Sequence, residues 1–138
     1  MKFDGKNNVK GLRAIVPDAQ GVGAVNGTGI DCRGFDELQV ALDVGAIGAG
    51  STVDFKLQES SDDGVADAYA DITGLSITQI VAANKSALLN VDLSQRERYI
   101  RAVCTVGVNA VDLAAWASLM RYKYPPVTQT ANEVLDKR

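Results

Sequence analysis

The chain has 138 residues, enough for one domain with its own core, and 46% of them are hydrophobic against 22% charged, a globular balance that excludes wholesale disorder. Its 14 basic and 17 acidic residues give a net charge of −3, which lacks the basic excess that general nucleic-acid binding demands. Histidine is absent, which removes the Ser-His-Asp triad, the Cys-His pair and every histidine-bearing zinc site.

In chain order, residues 1–10 are polar, with no apolar run of the kind a secretory signal needs, and read as an N-terminal arm. Residues 11–16 and 29–32 supply two short strands. Between them, Gly21-Val22-Gly23 and Gly27-Thr28-Gly29 lack the third glycine and the following helix of a phosphate-binding loop. The clearest signal comes next. Leu38, Val40, Leu42 and Val44 alternate with Gln39, Ala41 and Asp43, the period of a strand with one buried face. Val53, Phe55 and Leu57 alternate in the same way with Asp54, Lys56 and Gln58. The Gly-rich stretch 45–51 between them predicts a β-hairpin.

Ser60-Ser61-Asp62-Asp63-Gly64 is turn chemistry, with a short strand expected around Tyr69, Asp71 and Ile72. Residues 77–81 are a further apolar stretch, 82–85 a turn and 88–93 a strand. Ile100, Ala102, Cys104 and Val106 form one face of the next strand. Residues 111–124 fit a helical stripe or a strand, and the Tyr-x-Tyr-Pro-Pro ending favours the strand, which Pro125 and Pro126 then terminate. The apolar stretch 102–120 carries Asp112 and Asn109 and fails as a membrane helix. Seven to nine strands at intervals of roughly 8–15 residues predict an all-β, single-domain antiparallel β-sandwich, jelly-roll or immunoglobulin-like in general shape. Its body is residues 11–124, and 125–138 form a C-terminal arm that reaches about 46–50 Å when extended.

The candidate chemical groups are few. Asp62, Asp63, Asp67 and Asp71 supply oxygens of the type that holds Ca²⁺, but their spacing is not that of a calcium loop and a solvated turn accounts for them. Asp92 and Glu97 flank Arg96 and Arg98, as in a surface ion-pair network. Trp116, Tyr122 and Tyr124 would form a sugar-stacking platform if the last strand left them outside; as the only tryptophan in a chain with 6% aromatics, Trp116 is expected in the core instead, with the tyrosines at the sandwich rim. Cys32 and Cys104, in a chain without an export signal, read as free, buried thiols. No catalytic, cofactor or metal site emerges, and the chain reads as non-enzymatic.

Several runs carry a resemblance. These are Phe35-Asp36-Glu37-Leu38-Gln39-Val40, the segment from Val53 through Gln58-Glu59-Ser60-Ser61-Asp62-Asp63-Gly64, Tyr69-Ala70-Asp71-Ile72-Thr73-Gly74, Val91-Asp92-Leu93-Ser94-Gln95-Arg96-Glu97-Arg98-Tyr99-Ile100-Arg101-Ala102, and the terminal Tyr-x-Tyr-Pro. Over residues 35–126 this strand-and-turn pattern resembles the small structural proteins encoded in tailed-bacteriophage head gene clusters, of the capsid decoration or cement type. The resemblance implies a β-sandwich that is made in the host bacterial cytoplasm and sits on the outer capsid surface of the virion. It implies the major capsid protein as partner and a homo-oligomer, dimer or trimer, with neither nucleic acid nor membrane bound. Head–tail joining, tail tube, fibre, or a surface glycan-binding module are the alternatives. The two arms are then the expected capsid or inter-subunit contacts, through Lys2, Phe3, Lys6, Tyr124, Pro125, Pro126, Val127, Val134 and Leu135.

Overall fold

The computed structural model describes residues 4–135. After a single helical turn, α1 (Gly5–Asn8), it is built of nine strands: β1 (Val9–Gln20), β2 (Gly23–Asn26), β3 (Ile30–Asp31), β4 (Glu37–Ile47), β5 (Thr52–Ser60), β6 (Ala70–Ser76), β7 (Lys85–Asp92), β8 (Tyr99–Gly107) and β9 (Val111–Met120). They form two antiparallel sheets that pack as a sandwich. The first has the order β1-β9-β4-β7, the second β2-β8-β5-β6, with β3 also paired to β8.

The period-two pattern sets which residues meet between the sheets. Leu38, Val40, Leu42 and Val44 of β4 face Val53, Phe55 and Leu57 of β5 and Ile100, Ala102, Cys104 and Val106 of β8 in one buried cluster. Phe55 is the one aromatic among the largest fully buried side chains; Val, Leu and Ile do the rest. Burying each such side chain contributes about 1.5–3 kcal/mol.

The hairpin expected from residues 38–58 does not exist. β4 pairs with β7 and β9, whereas β5 pairs with β6 and β8, so the Gly-rich loop carries the chain from one sheet to the other. Alternation identifies a half-buried strand and its inner face, and a sandwich satisfies both strands across the core as well as a hairpin would side by side. The crossing is fixed by Ser51, which is 1% exposed: its Oγ donates to the Asn109 carbonyl (2.8 Å) and accepts from the Asn109 N–H (3.1 Å).

Trp116 is a second correction. β9 is a strand, as expected, but it ends at Met120, where Arg121 takes φ +59°, and its inner face is Val111, Leu113, Ala115, Ala117 and Leu119. Trp116 therefore points out of the sandwich and is 45% exposed. The small alanines face inward on β9, a central strand between β1 and β4, and the indole lies instead over Gly11 of β1, where an added Cβ would stand 2.9 Å from Cζ2. The glycines in the 21–29 stretch answer to packing as well. A Cβ on Gly27 would lie 2.1 Å from the Ala14 carbonyl oxygen, so only glycine lets the chain close there onto Ala102, whose carbonyl accepts from the Gly27 N–H at 2.7 Å.

Candidate functional site

The antiparallel sheets gather the loops at two ends that differ in chemistry. At one end lie residues 21–22, 48–51, 77–84 and 108–110, and none of these carries a charge. They are knit together by Gly48 N–H to Ala110 carbonyl (3.1 Å), Asn109 Nδ2 to Ala49 carbonyl (2.8 Å), Asn84 N–H to Gly45 carbonyl (3.0 Å) and the reciprocal Val53–Ile80 pair (2.9 Å each). Val22, Val81 and Val108 project from this uncharged pole, each more than 60% exposed. Val108 adopts φ +74°, a left-handed conformation that costs a β-branched residue about 1–2 kcal/mol and that glycine or asparagine takes readily.

The opposite pole is dense in charge. Arg98 grips Asp31 through Nε (3.0 Å) and Nη2 (2.8 Å), Arg96 meets Glu59 at 3.3 Å, Arg121 meets Glu37 at 3.3 Å and Lys123 meets Asp36 at 3.2 Å. The Arg98 hydrogen bond holds the Asp31 carboxyl below its ordinary value. Arg96 and Arg98 thus reach to β5 and β3 rather than to their sequence neighbours Asp92 and Glu97. Asp92 accepts the Ser94 N–H (2.9 Å) to cap a short 3₁₀ turn (Leu93–Gln95), and the Glu97 N–H donates to Glu59 (3.1 Å).

The acidic turn is also at this pole. Asp62 accepts the backbone N–H groups of Val65, Ala66 and Asp67, which lower its pKa. Those donors occupy the oxygens a cation would need, and no group of three or more His, Cys, Asp or Glu among the described residues is placed to hold a metal ion. Beneath the turn Ser60 is fully buried, its Oγ donating to the Asp67 carbonyl (2.7 Å) and accepting from the Gly64 N–H (2.8 Å).

The arms start from the charged pole. Lys2 and Phe3 lie outside the described residues. Lys6 is in α1, and Val9 and Lys10 already belong to β1, paired with Met120 and Leu119. After Arg121 the chain turns at Tyr122, whose ring packs on Phe35 (centroids 4.7 Å apart) and over Gly34, with Tyr124 edge-on to it at 6.1 Å. That contact engages one of the three rings considered for sugar stacking, and Trp116 sits apart from the tyrosines on the outer face of β9. Tyr124 is 73% exposed, as are Pro125 and Pro126 to a large degree. Val127 packs against the core, and its N–H donates to the Asn7 carbonyl (3.1 Å). Gln129 Nε2 donates to the Val9 carbonyl (2.6 Å), so the tail folds back along β1. Thr130, Ala131, Asn132 and Glu133 close a cleft of about 300 Å³ with Gly11, Leu12, Arg13 and Trp116. Val134 and Leu135 extend beyond it, exposed.

Cys32 and Cys104 are buried free thiols, as expected. Burial pushes Cys32 up to about 12 and Cys104 up to about 11, so neither is a thiolate at neutral pH. No helix among the described residues is long and apolar enough to cross a membrane.

No protein-family model and no curated protein matches the chain. Among solved structures, one from the work "Bacillus endospore appendages form a novel family of disulfide-linked pili" is similar with a TM-score of 0.44 and 15% identity, over 88% of this chain and 94% of that one.

Proposed function

We propose that this protein is a non-enzymatic structural component of a tailed-phage virion that binds the outer capsid surface, docking its uncharged pole on the major capsid protein. The strand-and-turn resemblance over residues 35–126 supports the virion class. The observation that carries the docking surface is Val108. A β-branched residue held at φ +74° and 65% exposed, at a turn glycine or asparagine would suit better, is a strain at the surface that folding alone does not require. Val22 and Val81 project from loops of the same pole that themselves carry no charged residue, the composition of an interface core rather than of a solvated rim. The arms, leaving the opposite pole, are then placed for contacts between neighbouring subunits.

Co-sedimentation with purified capsids tests this reading. Val108→Gly removes the side chain and the strain together, so its stability is unchanged or up to about 1 kcal/mol higher. Weaker capsid binding by this well-folded variant, and by Val81→Asp, is the expected result. Binding of both variants at the native level would overturn the assignment of the pole.

A further inference from the structure

Each sheet edge in this fold is guarded except one. An edge strand presents unpaired N–H and C=O groups to any other strand, and proteins blunt such edges with bulges, proline, glycine kinks, inward charges, short length or a covering segment. β1 carries two register shifts and Pro17, and the tail's Gln129 reaches its Val9 carbonyl. β2 and β3 are four and two residues long. β6 is interrupted by Gly74 at φ +85° and by a register shift against β5. β7 carries only one of these devices, at its very end, where Lys85 stands at an inward position opposite Val44. It runs eight residues in unbroken register with β4, from Asp92 against Glu37 to Lys85 against Val44, with no glycine or proline. Its other inward positions, Ala87, Leu89 and Val91, are uncharged, and among the described residues β4 alone hydrogen-bonds to the backbone of 86–91.

The outer face beside this edge is prepared for continuation. Register places Arg13, Trp116, Ala41 and Leu88 in one row across β1, β9, β4 and β7, and Leu88, the last in the row, is 62% exposed. We propose that β7 is a dimer edge, pairing antiparallel with β7 of a second copy about a two-fold axis at Leu88, so that the two four-stranded sheets become one of eight.

The strand is self-complementary in that register. A two-fold axis normal to the sheet keeps both outer faces on one side, so each residue meets one of its own parity. Leu88 then meets Leu88 of the second copy, Ser86 meets Asn90, Ala87 meets Leu89 and Lys85 meets Val91, with Asp92 beyond the paired stretch. No two like charges stand opposite one another, and the exposed leucine gains an apolar cross-strand partner. The paired stretch, residues 85–91, spans about 24 Å at ~3.4 Å per residue. A second copy fits this edge better than a foreign strand because one sequence supplies both halves of every pair. The inference does not depend on the capsid reading, since it concerns the protein alone in solution.

Sedimentation velocity on the full native chain, with two variants, tests it. The native chain is expected at twice its 14.6 kDa mass. Leu88→Lys puts two positive charges face to face at an exposed position; it should keep the native far-UV circular dichroism, and its dimer should dissociate at least about tenfold more readily. Leu88→Cys should cross-link quantitatively on mild oxidation, because the two native thiols are buried, whereas Thr105→Cys, exposed on the other sheet, should not. A native monomer, a trimer, or a dimer that leaves Leu88→Cys uncross-linked would each overturn the proposal. So would a monomer whose 86–91 amides gain exchange protection only when capsids are added, which would give the edge to a capsid strand instead.

Discussion

Ser60 illustrates how single buried groups hold this molecule. Its hydroxyl binds the Gly64 N–H and the Asp67 carbonyl of the acidic turn, and Ser60→Ala would strip both of this partner beneath the turn. The expected cost is about 1–3 kcal/mol, read as a lowered urea midpoint at unchanged slope. The two thiols are held protonated chiefly by burial, and Cys32 Sγ also donates to the Ile30 carbonyl (3.4 Å). Iodoacetamide at neutral pH should leave Cys32 and Cys104 unmodified in the folded chain and label both after denaturation without reductant; labelling of one or neither would show the thiols are not free. Charge enters through Asp31. Its folded pKa lies below the ordinary 3.8, chiefly through Arg98, so the pair's contribution is present above that pH and lost as pH falls through the folded value. Arg98→Ala should therefore lower the melting temperature at neutral pH, and the gap from the native protein should close as the solution is acidified below 3.8. The acidic turn was legible as a turn because Asp and Ser at 60–63 with Gly64 specify one chemistry. The true partners of Arg96 and Arg98 were not, because Glu59 and Asp31 are brought to them by strand pairing that no local spacing encodes.

At the scale of elements, what alternation encodes was readable and what pairing decides was not. The inner faces of β4, β5 and β8 follow directly from period two. The partners of β4 and β5 do not, since a strand's pattern is the same whether its neighbour lies beside it or across the core. Trp116 shows the limit of composition. A lone tryptophan has a strong prior for burial, but β9 offered two faces, and the one with small residues fits between closely packed sheets. The tail was visible as a change of composition, while its return along β1 depends on Gln129 and Val127 meeting backbone that only the fold presents. That return makes Trp116 a reporter. Its fluorescence should be partly protected from acrylamide in the full chain, and truncation after Thr128 should increase quenching and red-shift the emission by opening the cleft with 130–133. Unchanged quenching would mean that the tail does not rest there in solution.

For the whole molecule, the fold supplies a sandwich with two unlike poles and one largely unguarded edge, features that fit the proposed role in an assembly. On the proposed reading, the pole without charged loops would desolvate without leaving a charge unpaired, and repeated copies on a symmetric shell would multiply a modest contact into high occupancy. On the same reading, the charged pole, tied by its ion pairs, would face solvent. The sandwich itself was legible from strand count and spacing. The poles were not, because they assemble from four loops far apart in the chain. Cryo-EM of capsids prepared with and without this protein tests the central claim most directly. The reading predicts density for β-sandwiches at regular sites on the outer shell, with Val22, Val81 and Val108 toward the capsid and the Arg98–Asp31 end toward solvent; shells that stay bare under saturating protein would contradict it.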